Sequence, residues 1–281
     1  MTRRISLTLA VLLAATTDVL TQKFSSSVEA VRVDVLVTNR GATVRGLRAG
    51  DFEVRDNGVL QTVDLVSFER MPVNVVLALD LSASVEGPRL DDLRSAGRAL
   101  VGGLQRDDRA ALLTFSHVVA RRASLTQNRQ TIIAAIDAAE PSGNTSLIDA
   151  AYGAMLMAES ESARGLVVVF SDGLDVSSWL APERVLDAAK RLDAVVYGVW
   201  IHGTRPRFLE DLTDHTGGRL LDVESRNLAS TFLNVLNEFR DRYVLSYSPL
   251  GVKPGGWHRL DVRVKGRRAN VRSRPGYLAG R

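Results

Sequence analysis

Asp80, Ser82 and Ser84 stand at alternate positions in Asp80-Leu81-Ser82-Ala83-Ser84, directly after the apolar run 73–79 (VNVVLAL). Ser171-Asp172-Gly173 follows a second apolar run, 166–170 (LVVVF). Between them, Gly143-Asn144-Thr145-Ser146-Leu147 leads into a helical pattern, and Thr145 offers another hydroxyl. Extended chain places residues i, i+2 and i+4 on one side, so Asp80, Ser82 and Ser84 are expected to aim three oxygens at one point. Open α/β sheets bind ligands outside the carboxyl ends of their strands, which is where Asp80 and Asp172 both fall. Two carboxylates and up to three hydroxyls, completed by water, suit Mg²⁺ or Mn²⁺; Ca²⁺ prefers more carboxylates. The two carboxylates just neutralise a divalent ion and the hydroxyls add no charge. A metal held this way stays electrophilic and keeps a position for a carboxylate from another protein. Singly, Ser84 or Thr145 reads as a helix cap and Asp172-Gly173 as a turn. Their order at two strand ends is what makes them a site.

Other chemistries lack their residues. The four histidines (His117, His202, His215, His258) are scattered, and His-Glu-x-x-His is absent. There is no Gly-x-Ser-x-Gly elbow. Neither a Walker A loop nor Gly-x-Gly-x-x-Gly occurs, which argues against bound nucleotide. With no cysteine, disulfides, thiolate metal sites and a cysteine nucleophile are excluded. His117, after the second apolar strand, reads as a surface-loop residue. A Mg²⁺-dependent hydrolase using the same carboxylates is an alternative, without a second metal site or a recognisable nucleophile to support it.

The elements that must position these residues follow from periodicity. Short unbroken apolar segments (73–79, 110–115, 166–170 and 194–201) are strands buried on both faces, as in a parallel sheet. Between them run helical patterns, such as Leu90, Leu93, Gly97, Leu100, Val101 and Leu104. Pro182 suits a first helical turn. This alternation predicts a doubly wound, mainly parallel α/β fold with helices on both faces. The flanks are β in character. Val31, Val33, Val35 and Val37 alternate with other residues, and Asp56-Asn57-Gly58 reads as a hairpin turn. Leu260, Val262 and Val264 alternate with charges. Neither flank is large enough to be stable alone, so residues 24–70 and 242–281 are expected to pair into a small β domain, with residues 71–241 inserted between them.

The 281 residues are 45% hydrophobic and 24% charged, which excludes a disordered or multi-span membrane chain. Thr2-Arg3-Arg4, the apolar stretch 5–15 and the small residues after it read as a signal peptide over 1–23. The apolar stretch is too short to span a membrane. The protein is therefore expected to be exported, to the periplasm or beyond the cell, by the general or the twin-arginine route. The net charge of +4 is unevenly placed: residues 251–281 carry nine Lys/Arg against Asp261, a local +8 that leaves −4 for the rest. Most of that excess reads as a solvated strand face, the alternative being a patch for an anionic surface.

At Asp80, Ser82, Ser84, Thr145 and Asp172 the chain resembles the von Willebrand factor A domain, whose metal-ion-dependent adhesion site has all its positions matched. The likeness covers about residues 71–241. The flanks, in Asp51-Phe52-Glu53-Val54, Tyr243-Val244-Leu245-Ser246-Tyr247 and Arg274-Pro275-Gly276-Tyr277, are similar to a secreted bacterial group called VWFA-related. The resemblance implies metal-dependent protein binding without catalysis. In some members a shift of the last helix tunes affinity; here that helix would be 227–242.

Overall fold

A computed structural model of the chain describes residues 30–66, 71–160, 162–201, 204–266 and 268–280. The expected signal peptide, 1–23, lies outside the described residues. No helix among the described residues is long and apolar enough to cross a membrane.

The centre is a six-stranded sheet in the order β11-β10-β9-β6-β7-β8. Its strands are β6 (Val73–Asp80), β7 (Arg109–Phe115), β8 (Val119–Thr126), β9 (Arg164–Ser171), β10 (Val195–Ile201) and β11 (Leu220–Val223). All neighbours are parallel except β7 and β8, an antiparallel hairpin. The unbroken apolar runs divide by parity between two cores, because successive side chains on a strand point to opposite faces. Val73, Val75, Leu77 and Leu79 join Leu166, Val168 and Phe170 under α1 (Pro88–Gly102), α2 (Arg129–Asp137) and α6 (Leu228–Arg240). Val76 and Ala78 join Val167 and Val169 under α3 (Leu147–Ala158), α4 (Pro182–Ala189) and α5 (Arg207–Thr216). Pro182 is the first residue of α4.

The flanking segments form two further sheets. One has the order β14-β1-β12-β5, with β2 (Ala42–Thr43) also paired to β1. Its strands are β1 (Val31–Asn39), β5 (Asp64–Val66), β12 (Tyr243–Tyr247) and β14 (Asn270–Arg272). The other has the order β15-β13-β3-β4, from β3 (Phe52–Asp56), β4 (Val59–Gln61), β13 (Gly256–Val264) and β15 (Gly276–Ala279). Val33, Val35, Val37, Phe52, Val54, Leu245, Leu260 and Val262 share the core of this small β body. Asn57 and Gly58 turn the β3–β4 hairpin, both at positive φ (46° and 86°), the combination that matches strand twist.

Two buried arginines tie this body to the α/β sheet. Arg164 opens β9 and donates to Asp34 of β1 and to the Phe239 carbonyl (3.0 Å) of α6, with its guanidinium 4.3 Å over the Phe239 ring. Arg242 lies between α6 and β12 with no exposed surface and donates to the Gly217 carbonyl (2.5 Å) and to Tyr197 (3.2 Å). Gly217 ends α5 at φ 75°, and a Cβ there would lie 2.5 Å from the Arg274 backbone nitrogen. Three of the nine basic residues of the C-terminal segment form ion pairs among the described residues. Arg263, Arg272 and Arg274 face Asp261, Asp214 and Asp193. Removing one partner of a buried pair strands the other, at a cost of about 3 kcal/mol or more. Arg164→Met should therefore lower the free energy of urea unfolding by about 3 kcal/mol. A loss below about 1 kcal/mol would show that the Asp34 contact does not join the two parts.

Candidate metal centre

The connections after β6, β7 and β9 and the segment leading into α3 converge at the carboxyl edge of the central sheet. β6 delivers Asp80 with no exposed surface. Its Oδ1 accepts the Ser82 amide (2.8 Å) and its Oδ2 the Ser171 hydroxyl (2.6 Å). Ser82 and Ser84 reach one another at 3.0 Å between hydroxyls, and Ser84 Oγ donates to Asp172 Oδ1 at 2.8 Å. The meeting of these hydroxyls differs in mechanism from the extended-chain expectation. Ala83–Val85 is a 3₁₀ turn, and that turn swings Ser84 back over Ser82 towards Asp172.

Thr145 is buried just before α3. Among the described residues its hydroxyl has no hydrogen-bond partner. A Cβ on Gly173 would stand 3.8 Å from it, so the glycine leaves that oxygen uncovered. The Thr145 loop is fastened to both neighbours: Ala83 N donates to Gly143 O (3.0 Å), Ser142 N to Leu81 O (2.7 Å) and Ser146 N to Ser116 O (2.8 Å). His117 is exposed, with its ring against Gly143, whose φ is 69°. All five residues singled out from the sequence thus lie on one edge. Ser82, Ser84 and Asp172 are joined in a hydrogen-bonded chain, Asp80 is held beside them through Ser82 and Ser171, and Thr145 stands across Gly173.

Three further groups at this edge were not picked out from sequence. Ser171, named from sequence only as part of the strand-end Ser-Asp-Gly, donates its hydroxyl to Asp80 Oδ2. Arg89, in the first turn of α1, donates to the Ser84 carbonyl (3.1 Å) and ion-pairs with Asp172 Oδ2. Pro88 at the start of α1 was the available signal: it opens the helix four residues after Ser84 and places the next side chain beside the loop. The third is the loop 172–180. Val176 N and Ser177 N donate to the Thr145 carbonyl (3.0 and 3.1 Å), while Trp179 N and Leu180 N donate to the Asp149 carboxylate (both 2.9 Å). The backbone is pinned, yet Trp179 is 95% exposed and Val176 68% exposed, with Leu174 and Leu180 beside them in sequence.

The donor set fits a divalent cation. No group of three or more Asp, Glu or His side chains gathers among the described residues, so any ion here would be held by two carboxylates and hydroxyls. That is a low-charge, all-oxygen environment suited to a hard metal. Burial pushes the Asp80 carboxyl up to about 6, against the opposing effect of its hydrogen bonds. A cation beside it would relieve that cost, whereas Arg89 reaches only Asp172.

Residues 75–193 match the von Willebrand factor type A domain family. The uncharacterized protein sll0103 of Synechocystis sp. is 32% identical over 83 residues, 28% of this chain and 19% of that protein. Among solved structures, a von Willebrand factor type A protein from Catenulispora acidiphila superposes with a TM-score of 0.57 at 13% identity, over 89% of this chain and 72% of that one. The proximal thread matrix protein 1 of mussel byssus superposes at 0.55 and 16% identity, over 65% of this chain and 49% of that one; one of its structures has zinc in its metal-ion-dependent adhesion site. The chain thus spans about a fifth of the curated relative and about half of the mussel protein. The similarity to the solved structures is one of fold.

The raised Asp80 carboxyl gives metal-free protein a pH signature. Its folded-state value lies above the usual carboxylate range, so the ionised form is the destabilising one. The favourable contribution is full below about pH 4 and is lost as pH rises through about 6. In chelator, Asp80→Asn should flatten this slope and make the protein more stable than the parent at pH 8, by on the order of 2–3 kcal/mol. Parallel pH–stability curves for the two proteins would show that Asp80 is not ionised at a cost.

Proposed function

With a von Willebrand factor type A domain over residues 75–193 as the premise, we propose that this is an exported, non-enzymatic recognition protein. It captures an acidic side chain of a protein partner through Mg²⁺ or Mn²⁺ held by Asp80, Ser82, Ser84, Thr145 and Asp172. Von Willebrand A domains bind a divalent metal at this site and bind protein partners. The observation that carries the reading is the charge count at the sheet edge: two carboxylates, hydroxyls for the remaining protein donors, and an unpartnered Thr145 oxygen beside Gly173. A divalent ion in that setting is neutralised but not over-neutralised, and it supplies Lewis acidity towards an incoming carboxylate. In this reading Asp80 orients Ser82 through the backbone, and Ser84 and Asp172 hold one another in place.

The loop 172–180 supports a protein as the partner. Its backbone is hydrogen-bonded to Thr145 and Asp149, so its apolar side chains are presented without the ordering cost that a mobile loop incurs. Exposed tryptophan is the residue type most enriched at binding hot spots. Residues 1–23 serve as the export signal. Residues 24–70 and 242–281 pair as a scaffold that carries the binding domain, 71–241, at its back.

Thermal unfolding of the exported chain in Mg²⁺, Mn²⁺ and EDTA tests this reading. A site filled to about 100 times its Kd adds about 2.7 kcal/mol, which for a chain of this size is a rise of several degrees. The rise should vanish in Asp172→Ala. No metal-dependent shift in the parent, even at tens of millimolar, would remove the basis of the proposal. Arg89 occupies Asp172 Oδ2 and must yield to the ion. A partly exposed pair of this kind is worth up to about 1 kcal/mol, so Arg89→Gln should tighten Mg²⁺ binding by roughly threefold to fivefold in calorimetric titration. Weaker binding in that variant would make Arg89 a support of the site rather than its competitor.

A further inference from the structure

Arg89 stands against the electrostatics of its own helix. It is the second residue of α1, in the first turn, where the helix dipole favours acids and opposes cations. The fold nevertheless turns it onto the sheet edge. Its Nη1 donates both to the Ser84 carbonyl (3.1 Å) and to Asp172 Oδ2. One nitrogen makes both bonds. Among the described residues Nε and Nη2 have no hydrogen-bond partner, and 38% of the side chain is exposed. The fork that makes a guanidinium a good ligand for carboxylates is therefore mostly unused.

The Asp172 side chain is only 1% exposed, so the guanidinium and a metal ion make competing demands on it. An ion that takes this carboxylate removes the counter-charge of Arg89 but not its bond to the Ser84 carbonyl. Ser84 contributes its hydroxyl to the same site, so the guanidinium stays beside the ion instead of moving out into bulk water. The charges then add up simply. Asp80, Asp172 and a divalent ion sum to zero, and Arg89 adds one positive charge with no partner. One incoming carboxylate restores neutrality. A hydroxyl or an amide oxygen does not.

We propose that Arg89 is the residue that reads the partner's carboxylate. One oxygen of the partner's Asp or Glu goes to the ion, and the other accepts from the free donors of Arg89. The proposal rests on the metal reading above and adds to it a specificity determinant outside the five metal-site residues. Charge-assisted bonds from a guanidinium fork to a carboxylate are among the stronger hydrogen bonds. A neutral side chain could still offer the ion an oxygen, but it would leave Arg89 without a counter-charge. The same arginine thus opposes the ion at the empty edge and favours it once a carboxylate is bound. Ion and carboxylate then raise each other's affinity by the same factor.

Acetate serves as the probe for the partner side chain, with acetamide as its neutral counterpart. Mg²⁺ binding to the full chain is measured by calorimetry in about 0.1 M sodium acetate, and in sodium chloride of equal ionic strength with and without acetamide. Free Mg²⁺ is corrected for its complex with acetate. The parent should bind Mg²⁺ about threefold or more tighter in acetate than in either chloride arm. In Arg89→Gln that gain should disappear while Mg²⁺ binding itself persists. Arg89→Lys, which keeps the charge and loses the fork, should retain part of the gain. Melting temperatures in EDTA are the folding control for both variants. An equal acetate gain in Arg89→Gln would show that the ion captures the carboxylate alone, and would overturn the proposal. So would the absence of any acetate gain in a parent that binds Mg²⁺. Both results leave the metal site intact. No Mg²⁺ binding to the parent in any arm would instead remove the metal reading, and this proposal with it.

Discussion

A carboxylate with no exposed surface has to be accommodated before anything else at the sheet edge can be built. Asp80 ends a strand whose every residue is buried. An unpaired charge in such a place costs several kcal/mol, and the loops around it are arranged to meet that cost. The Ser82 amide and the Ser171 hydroxyl take one oxygen each. The first requires the chain to turn immediately after β6. The second requires β9 to end in register with β6, next to which it lies in parallel. From the turn follows Ser84 against Asp172, and from that register follows the start of the loop that pins itself to Thr145. Even so, Asp80 remains elevated towards 6, so the hydrogen bonds meet only part of the demand. The remainder is the electrostatic argument for a cation.

The same loops separate rigid from presented surface. Thr145 supplies a carbonyl to the 172–180 loop and keeps its hydroxyl for the edge. Asp149, in the first turn of α3, accepts two amides from the loop rather than from its own helix. An acid at this end of a helix is already favoured by the helix dipole, so one residue stabilises α3 and the loop together. The apolar side chains of Val176 and Trp179 are left outside. In a monomer with nothing to bind, that exposure would be an unrelieved cost.

At the opposite edge the α/β domain is continuous with the β body. α6 runs directly into β12, with the fully buried Arg242 between them. That guanidinium meets Tyr197, which in turn donates to Glu238 at 2.8 Å. Burial holds the Tyr197 hydroxyl up near 12, so it stays protonated and remains a donor. Arg164 packs on Phe239 of the same helix while reaching Asp34 of β1. Movement of α6 along its axis would disturb both arginines, so the helix and the β body are mechanically coupled.

Much of this was legible in one dimension. The unbroken apolar runs announce β6, β7, β9 and β10, because a strand covered on both faces has no polar positions to interrupt it. Asn57-Gly58 announces its hairpin, because few residue pairs accept two positive φ values. Asp80, Ser82, Ser84 and Asp172 stand out through their places at or just beyond these runs, and Thr145 through its place just before α3. Other elements carried weaker signals. β8 is a half-exposed antiparallel edge, and α2 buries only Ile132 and Ile136. The Asn128 cap of α2, which accepts the Gln130 and Thr131 amides, was the available cue. Only the tertiary structure could bring Arg89 onto Asp172 and the Trp179 amide onto Asp149. Periodicity records which face of an element is buried, and the residue types at a strand's end record which chemistry is offered there. What meets that chemistry is decided by the packing of loops far apart in the chain, and no local pattern encodes those distances.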